Sequence, residues 1–223
     1  MNYPDSFPVL LSLRVATAAL AIVAPIGIAL AWFQARKNYP GRTLIDAAVL
    51  LPLVLPPSVI GYFLVVLCGR RGPIGNWLLS MFDIRLIFSP AAAVIASAVV
   101  ALPMLVKTAQ PAIESVPIDL EAVGRSLGLG PAAVFLRITL PAAWRGVVAG
   151  LVLAFARAIG EFGATLMFAG NIPGRTNTMP LEIFAAYQAG DDERALMYVI
   201  TLVVISCLVV MLATRLNPRE ATA

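Results

Sequence analysis

D-L-E-A-V-G-R-S-L-G-L-G-P-A-A-V-F-L-R-I-T-L-P, residues 119–141, is a charged, glycine-punctuated stretch set between two long apolar runs. Asp119 can cap a helix whose body is Leu120–Leu127, and Glu121 is favourable near the positive end of that helix's dipole. Arg125 stands one turn beyond Glu121, and Gly128 suits the left-handed position that ends the helix. Gly130 gives the turn room, and Pro131 suits the first position of a second short helix. Eight residues at about 1.5 Å each make a helix of roughly 12 Å, too short to stand alone in water. Its apolar side, Leu120, Val123 and Leu127, therefore needs a surface to cover it. That surface is either the chain's own helices or another protein.

Working outward, the rest of the chain is greasy. Of its 223 residues 60% are hydrophobic and 13% are charged, against about a quarter charged in a soluble domain. Five apolar runs, near 10–33, 44–67, 87–109, 146–169 and 196–214, have the length of roughly 20 residues that a bilayer crossing needs. They are continuous rather than alternating, so the expectation is an all-α integral membrane protein of five spans, not a barrel. One membrane domain then covers 9–214, with 119–141 as a two-helix loop on the cytoplasmic side.

Side is read from basic residues, because short loops rich in Lys and Arg stay cytoplasmic. Arg36, Lys37, Arg42, Lys107, Arg125, Arg137, Arg145, Arg215 and Arg219 fall on one side, and Arg70, Arg71, Arg85, Arg175 and Arg194 on the other. This asymmetry puts the N-terminus outside and the C-terminus in the cytoplasm. Arg14 and Arg157 fall inside spans. The first residues, M-N-Y-P-D-S-F-P, lack a positive n-region, so span one is expected to be retained. Cys68 and Cys207 have no metal-ligand spacing and read as two buried thiols.

The residue types that are missing restrict the chemistry. The chain has no histidine, which removes the commonest general base and the commonest metal ligand. Its only lysines, Lys37 and Lys107, follow no glycine-rich loop, so no phosphate-cradling P-loop exists. Within the spans Glu161 is the one good candidate carboxylate, and hydrolysis by paired acids needs two. No catalytic residue, metal site or cofactor is expected, and the net charge of +4 is no sign of nucleic acid.

Two further stretches stand out. L-P-L-V-L-P-P-S-V-I-G-Y (51–62) sets Pro52, Pro56 and Pro57 in span two. Prolines there bend a helix and free carbonyls beside Ser58 and Tyr62, either as a packing kink or as a hinge lining a pathway. G-E-F-G-A-T-L-M-F-A-G-N-I-P-G-R-T-N-T-M-P-L-E-I-F (160–184) places Glu161 one turn after Arg157, at the spacing of a compensating pair. Gly160, Gly163 and Ala164 allow close helix approach. Asn171, Arg175, Thr176, Asn177 and Thr178 follow as an outer loop rich in donors.

Gly128, nine residues, then Ile138-Thr139-Leu140-Pro141 resembles the coupling motif of bacterial ABC importer permeases. That motif reads Glu-Ala-Ala, three residues, Gly, nine residues, Ile-x-Leu-Pro. Ala122, Val123 and Gly124 hold the triplet positions here, with the acid one place early at Glu121. With 51–62 and 160–184 added, the chain resembles the molybdate permease subunits of these importers from about 9 to 214. The resemblance implies a type I importer permease architecture and a homodimer in the bacterial cytoplasmic membrane. Two cytoplasmic ATPases and an external oxyanion-binding protein would complete the assembly. It implies ATPase coupling through Asp119, Leu120, Glu121, Val123, Arg125, Leu127, Gly128, Ile138, Leu140 and Pro141, and an ion path at the dimer interface.

A fast path must hold its ion weakly, with few fixed charges. Ser58, Tyr62, Glu161, Thr165 and Asn171 are the candidate path residues; alternatively the hydroxyls bond to carbonyls of their own helices. The cargo reads as molybdate, with tungstate or sulfate/thiosulfate as alternatives. A passive anion channel would need no ATPase, and the 119–141 loop argues against it.

Overall fold

The computed structural model describes residues 4–216, and among these all regular structure is helical. Arg219 and the two chain ends, whose sides were read from charge, lie outside the described residues. The core is built from α1 (Ser6–Arg36), α5 (Pro90–Glu114) and α9 (Trp144–Ile159). Small residues let their backbones approach closely, as membrane helices require where no water drives them together. Ala16, Ala19, Ala31, Ala101, Ala109 and Ala154 are fully buried in one cluster. A Cβ added at Gly27 would stand 2.7 Å from Leu105 Cδ2. Gly150 faces the same leucine. α12 (Asp192–Leu216) lies against α9 and α11 (Met179–Gln188). It leaves Val199, Val203, Leu208 and Leu212 exposed, as lipid-facing residues are.

α1, α5 and α12 are each long and apolar enough to cross a membrane alone. The expected second and fourth spans are not continuous helices. Residues 44–67 divide into α2 (Arg42–Val54) and α3 (Pro57–Cys68), which meet at 113°. The reason lies in the tandem prolines. Each forces the residue before it out of the helical region, so Leu55 (ψ 145°) and Pro56 (ψ 135°) are both extended. Pro52, alone, stays inside α2. The run 146–169 breaks after Ile159, and α10 (Gly163–Ala169) restarts beyond Gly160-Glu161-Phe162. Two glycines weaken the helix there, and Glu161 supplies the restart with a cap.

Two ends of the bundle are set by ion pairs. At one end the C-terminus of α1 meets α2, the end of α5 and α6 (Ile118–Ser126). Arg36 pairs with Glu121 at 2.8 Å, Lys107 with Asp46 at 2.6 Å and Arg42 with Glu114 at 3.4 Å. At the other end Arg194 of α12 bridges Asp5 at 3.4 Å and Glu182 of α11 at 3.0 Å. The Tyr198 hydroxyl there donates to the Asp5 carbonyl at 2.9 Å. α4 (Pro73–Phe82), a ten-residue helix, sits at this second end beside α3. Cys68 is buried, but Cys207 is exposed on α12, which corrects the expectation of two buried thiols.

Candidate functional site

The 119–141 stretch folds as a two-helix projection from the first end. α6 runs Ile118–Ser126, starting two residues earlier than its sequence suggests. Pro117 is its N-cap, and no side chain caps it, so Asp119 is a first-turn acid rather than the cap. Arg36 Nη2 donates to the Val116 carbonyl at 2.8 Å, which fixes where the helix begins. The far end is a Schellman turn. Gly128 is left-handed at φ +84°, its N–H reaches Arg125 O at 3.0 Å, and Leu129 N–H reaches Gly124 O at 3.1 Å.

α7 (Pro131–Val134), a π-helical turn (Phe135–Thr139) and α8 (Leu140–Ala142) form the second arm. It turns by 80° into α9. Pro131 takes the first turn of the arm, as its fixed φ favours. A Cβ at Gly124 would collide with Ile138 Cδ1, so this glycine lets the two arms close on each other. Past the nine residues that follow Gly128, the return arm brings Ile138 over Gly124, while Leu140 packs on the bundle core. Trp32 of α1 meets Phe135 with ring centres 5.3 Å apart. A cavity of about 300 Å³ between α1 and the arms is lined by Trp32, Arg36, Glu121, Arg125 and Phe135 among others.

Glu121 is the buried centre of this projection. Its Oε1 accepts from Arg36 Nε at 2.8 Å and from Thr139 Oγ1 at 2.8 Å, and Arg125 Nη1 lies 3.7 Å from Oε2. It is 5% exposed, so it joins both arms to α1 and is not presented outward with its neighbours. Leu120, Val123 and Leu127 are 50%, 57% and 77% exposed. Of the two coverings open from sequence, the chain's own helices are therefore excluded in this structure. The residues expected to couple thus divide. Leu120, Val123, Leu127, Asp119, Arg125 and Pro141 are exposed; Glu121, Gly128, Ile138 and Leu140 shape and anchor the projection.

The path candidates divide as well. A cavity of about 360 Å³ opens where the two breaks meet, lined by Pro57, Ser58, Arg157, Gly160, Glu161, Phe162 and Gly163. Gly163 stands against Pro57, where a Cβ would come within 3.0 Å of the ring. Glu161 Oε1 accepts from Ala164 N–H at 2.8 Å, capping α10. Arg157 Nη1 lies 2.7 Å from Oε2, an ion pair without the angle of an aligned hydrogen bond. Tyr62 is exposed on α3, but Thr165 is 1% exposed and does not line this cavity. Asn171 is turned inward, with its amide donating to Leu181 O at 3.3 Å. Two more donors of the 171–178 loop are likewise used internally: Thr176 Oγ1 donates to Gly170 O, and Asn177 Nδ2 donates to Glu182 Oε2.

Sequence reasoning missed Arg36, Thr139 and Gly124 as partners of the projection. Arg36 and Glu121 are 85 positions apart, and no local pattern links them.

Comparison with known proteins agrees with this geometry. Residues 24–222 match the family model described as binding-protein-dependent transport system inner membrane component. The chain is 43% identical to the molybdenum transport system permease protein ModB of Escherichia coli K12, covering 98% of this chain and 97% of that protein. It is also 43% identical to the Haemophilus influenzae protein of the same name, over 94% and 92%. A probable sulfate transport system permease protein of Nephroselmis olivacea is 36% identical over 84% of this chain and 68% of its own length. Among solved structures, a bacterial ABC transporter that imports alginate superposes with a TM-score of 0.75 at 16% identity, over 98% of this chain and 80% of that one. The MetNI methionine ABC transporter gives 0.67 at 16% identity, over 98% and 94%. The fold is that of ABC importer permeases, and the chain belongs to the family of binding-protein-dependent transport system inner membrane components.

Proposed function

We propose that this chain is the permease subunit of an ATP-driven molybdate importer, energised by a separate cytoplasmic ATPase. The projection carries this reading. One side of it is latched to α1 through Glu121, and the other offers Leu120, Val123 and Leu127 to solvent. Fully burying such a side chain is worth roughly 1.5–3 kcal/mol, and covering the half to three-quarters still exposed gains a like share of it, so the face suits a protein groove. The cargo follows from likeness to molybdenum permeases along almost the whole chain.

Counting α2 with α3 as one crossing and α9 with α10 as another, beside α1, α5 and α12, gives five spans, with the projection and the C-terminus in the cytoplasm and the N-terminus outside. A second copy would pack on the apolar face where Phe162 meets Phe184 beside Ile183 and Tyr187. The path would then run between the copies, past Ser58 and the Arg157–Glu161 pair. An external oxyanion-binding protein would deliver the ion to the end that holds Arg194 and Asp5.

The test is uptake of labelled molybdate into proteoliposomes holding the permease, its ATPase and its binding protein. Uptake requiring all three and ATP is the expected result; conductance from the permease alone would establish a passive channel instead. The likeness to a sulfate permease favours sulfate as a second cargo, and competition by excess sulfate in the same assay decides between them.

A further inference from the structure

A second cavity lies at the end opposite the projection, away from the breaks in the helices. It measures about 430 Å³ and is lined by Arg70, Arg85 and Arg175, with Cys68, Leu79 and Phe88 among its apolar walls. The three arginines come from three separate segments: the α3–α4 turn, the 83–89 loop and the 170–178 loop. None of them has a carboxylate partner among the described residues, and no acidic side chain lines the cavity. The closest acid in sequence, Asp83, makes no ion pair among the described residues. Like charges brought together with no counter-charge repel, so the arrangement suits a bound anion.

The backbone holds these arginines in place. Arg175 is carried on a turn whose neighbours Thr176 and Asn177 are fully buried and hydrogen-bonded within the loop. The 83–89 loop is tied down by Phe88 N–H donating to Phe168 O at 3.3 Å, with Phe88 left-handed at φ +58°. Phe88 in turn packs against Gly170, whose added Cβ would meet its ring at 2.8 Å.

Beside the cavity α4 shows hydrocarbon to the surroundings. Trp77, Met81 and Phe82 are 53%, 67% and 57% exposed, and Ile84 and Phe88 continue the apolar patch. Ten residues cannot cross a bilayer. A short apolar helix carrying Trp beside basic residues lies in the membrane interface instead.

We propose that this cavity binds the phosphate of an anionic phospholipid in the outer leaflet, with its acyl chains lying along α4. The chemistry required is a tetrahedral oxyanion group, which guanidinium forks recognise through paired charge-assisted hydrogen bonds. A lipid supplies that group and hydrocarbon together, matching the arginines and the apolar helix at once. The inference rests on the membrane-spanning fold and on the proposed orientation, and not on the identity of the cargo.

The experiment is native mass spectrometry of the purified full-length permease with phosphatidylglycerol or phosphatidylcholine, alongside thermal unfolding in detergent with the same lipids. Phosphatidylglycerol is expected to be retained more tightly, by on the order of 100-fold if each arginine contributes about five-fold. R70Q, R85Q and R175Q together would abolish the preference, and R175Q alone would weaken it about five-fold. R71Q, outside the cavity lining, would leave it unchanged. If the triple variant gives no folded protein, R175Q alone still carries the test. Equal retention of the two lipids overturns the proposal. So does equal stabilisation by free phosphate or molybdate without lipid, which would mean a soluble-ion site. Lipid preference intact in R175Q, with loss only of binding-protein association, would identify a protein-docking surface and overturn it too.

Discussion

Glu121 directs its carboxylate into the chain, although its neighbours on α6 face outward. Arg36, its partner, has a side chain only 10% exposed, so removing the acid leaves a nearly buried guanidinium unpaired. Breaking such a pair costs about 3–5 kcal/mol. Glu121→Ala is therefore expected to lower the unfolding midpoint in detergent, and Arg36→Gln combined with Glu121→Gln to restore much of it. Unchanged stability with lost ATPase co-purification would show instead that the carboxylate serves the partner. The same logic applies to Arg157 and Glu161. Glu161→Gln keeps an oxygen for Ala164 N–H but leaves Arg157 unpaired, so its folded yield is expected to fall below that of the Arg157→Gln, Glu161→Gln double variant. A lower yield from the double variant would mean that the two residues act separately. This pair was legible from its one-turn spacing. The Glu121 latch was not, because its partners lie 85 and 18 positions away.

The projection depends on two glycines for different reasons, and substitutions can separate them. Around Gly128 there is open space, with nothing within 4 Å of an added Cβ; only its left-handed backbone resists replacement. That conformation costs an ordinary residue roughly 1–2 kcal/mol, more for a β-branched one and less for Asn. Gly128→Val is expected to insert normally yet lose the ATPase on co-purification and abolish molybdate-dependent growth. Gly128→Asn is expected to keep both. Full retention by the valine variant would reduce the loop to a connector. At Gly124 the obstacle is Ile138 itself, so even Ala there would spread the two arms. Gly128 was legible because a left-handed helix end has a local signature. Gly124 was not, since its reason is a contact across the turn. The breaks at 55–56 and 160–162 were half legible: prolines and glycines mark a weakness, but whether a helix kinks or turns by 113° depends on what packs beside it. There α3 is received by α10, with Gly61 set against Ala164 and Met167.

At the scale of the whole molecule, the two ends carry different charge chemistry. The projection end gathers Arg36, Lys37, Arg42, Lys107 and Arg125, several of them paired. Arg194 at the other end is balanced by Asp5 and Glu182. Arg70, Arg85 and Arg175 stand there without such balance; with Arg71, which lies outside the cavity lining, they are the charges that oppose the orientation read from sequence. If the cavity they line holds lipid phosphate, they are neutralised in place and do not mark a cytoplasmic loop, so the positive-inside rule still puts the projection in the cytoplasm. Ser126 and Gln188 are exposed at opposite ends, which makes them suitable reporters. With Cys68 and Cys207 replaced by Ala, Ser126→Cys in right-side-out vesicles is expected to resist a membrane-impermeant thiol reagent until the membrane is opened. Gln188→Cys is expected to react at once. Reaction of both from the same side would mean that α9 with α10 does not cross the membrane. Reversed accessibility would put the projection outside, beyond reach of any ATPase, and would refute the importer reading together with the orientation.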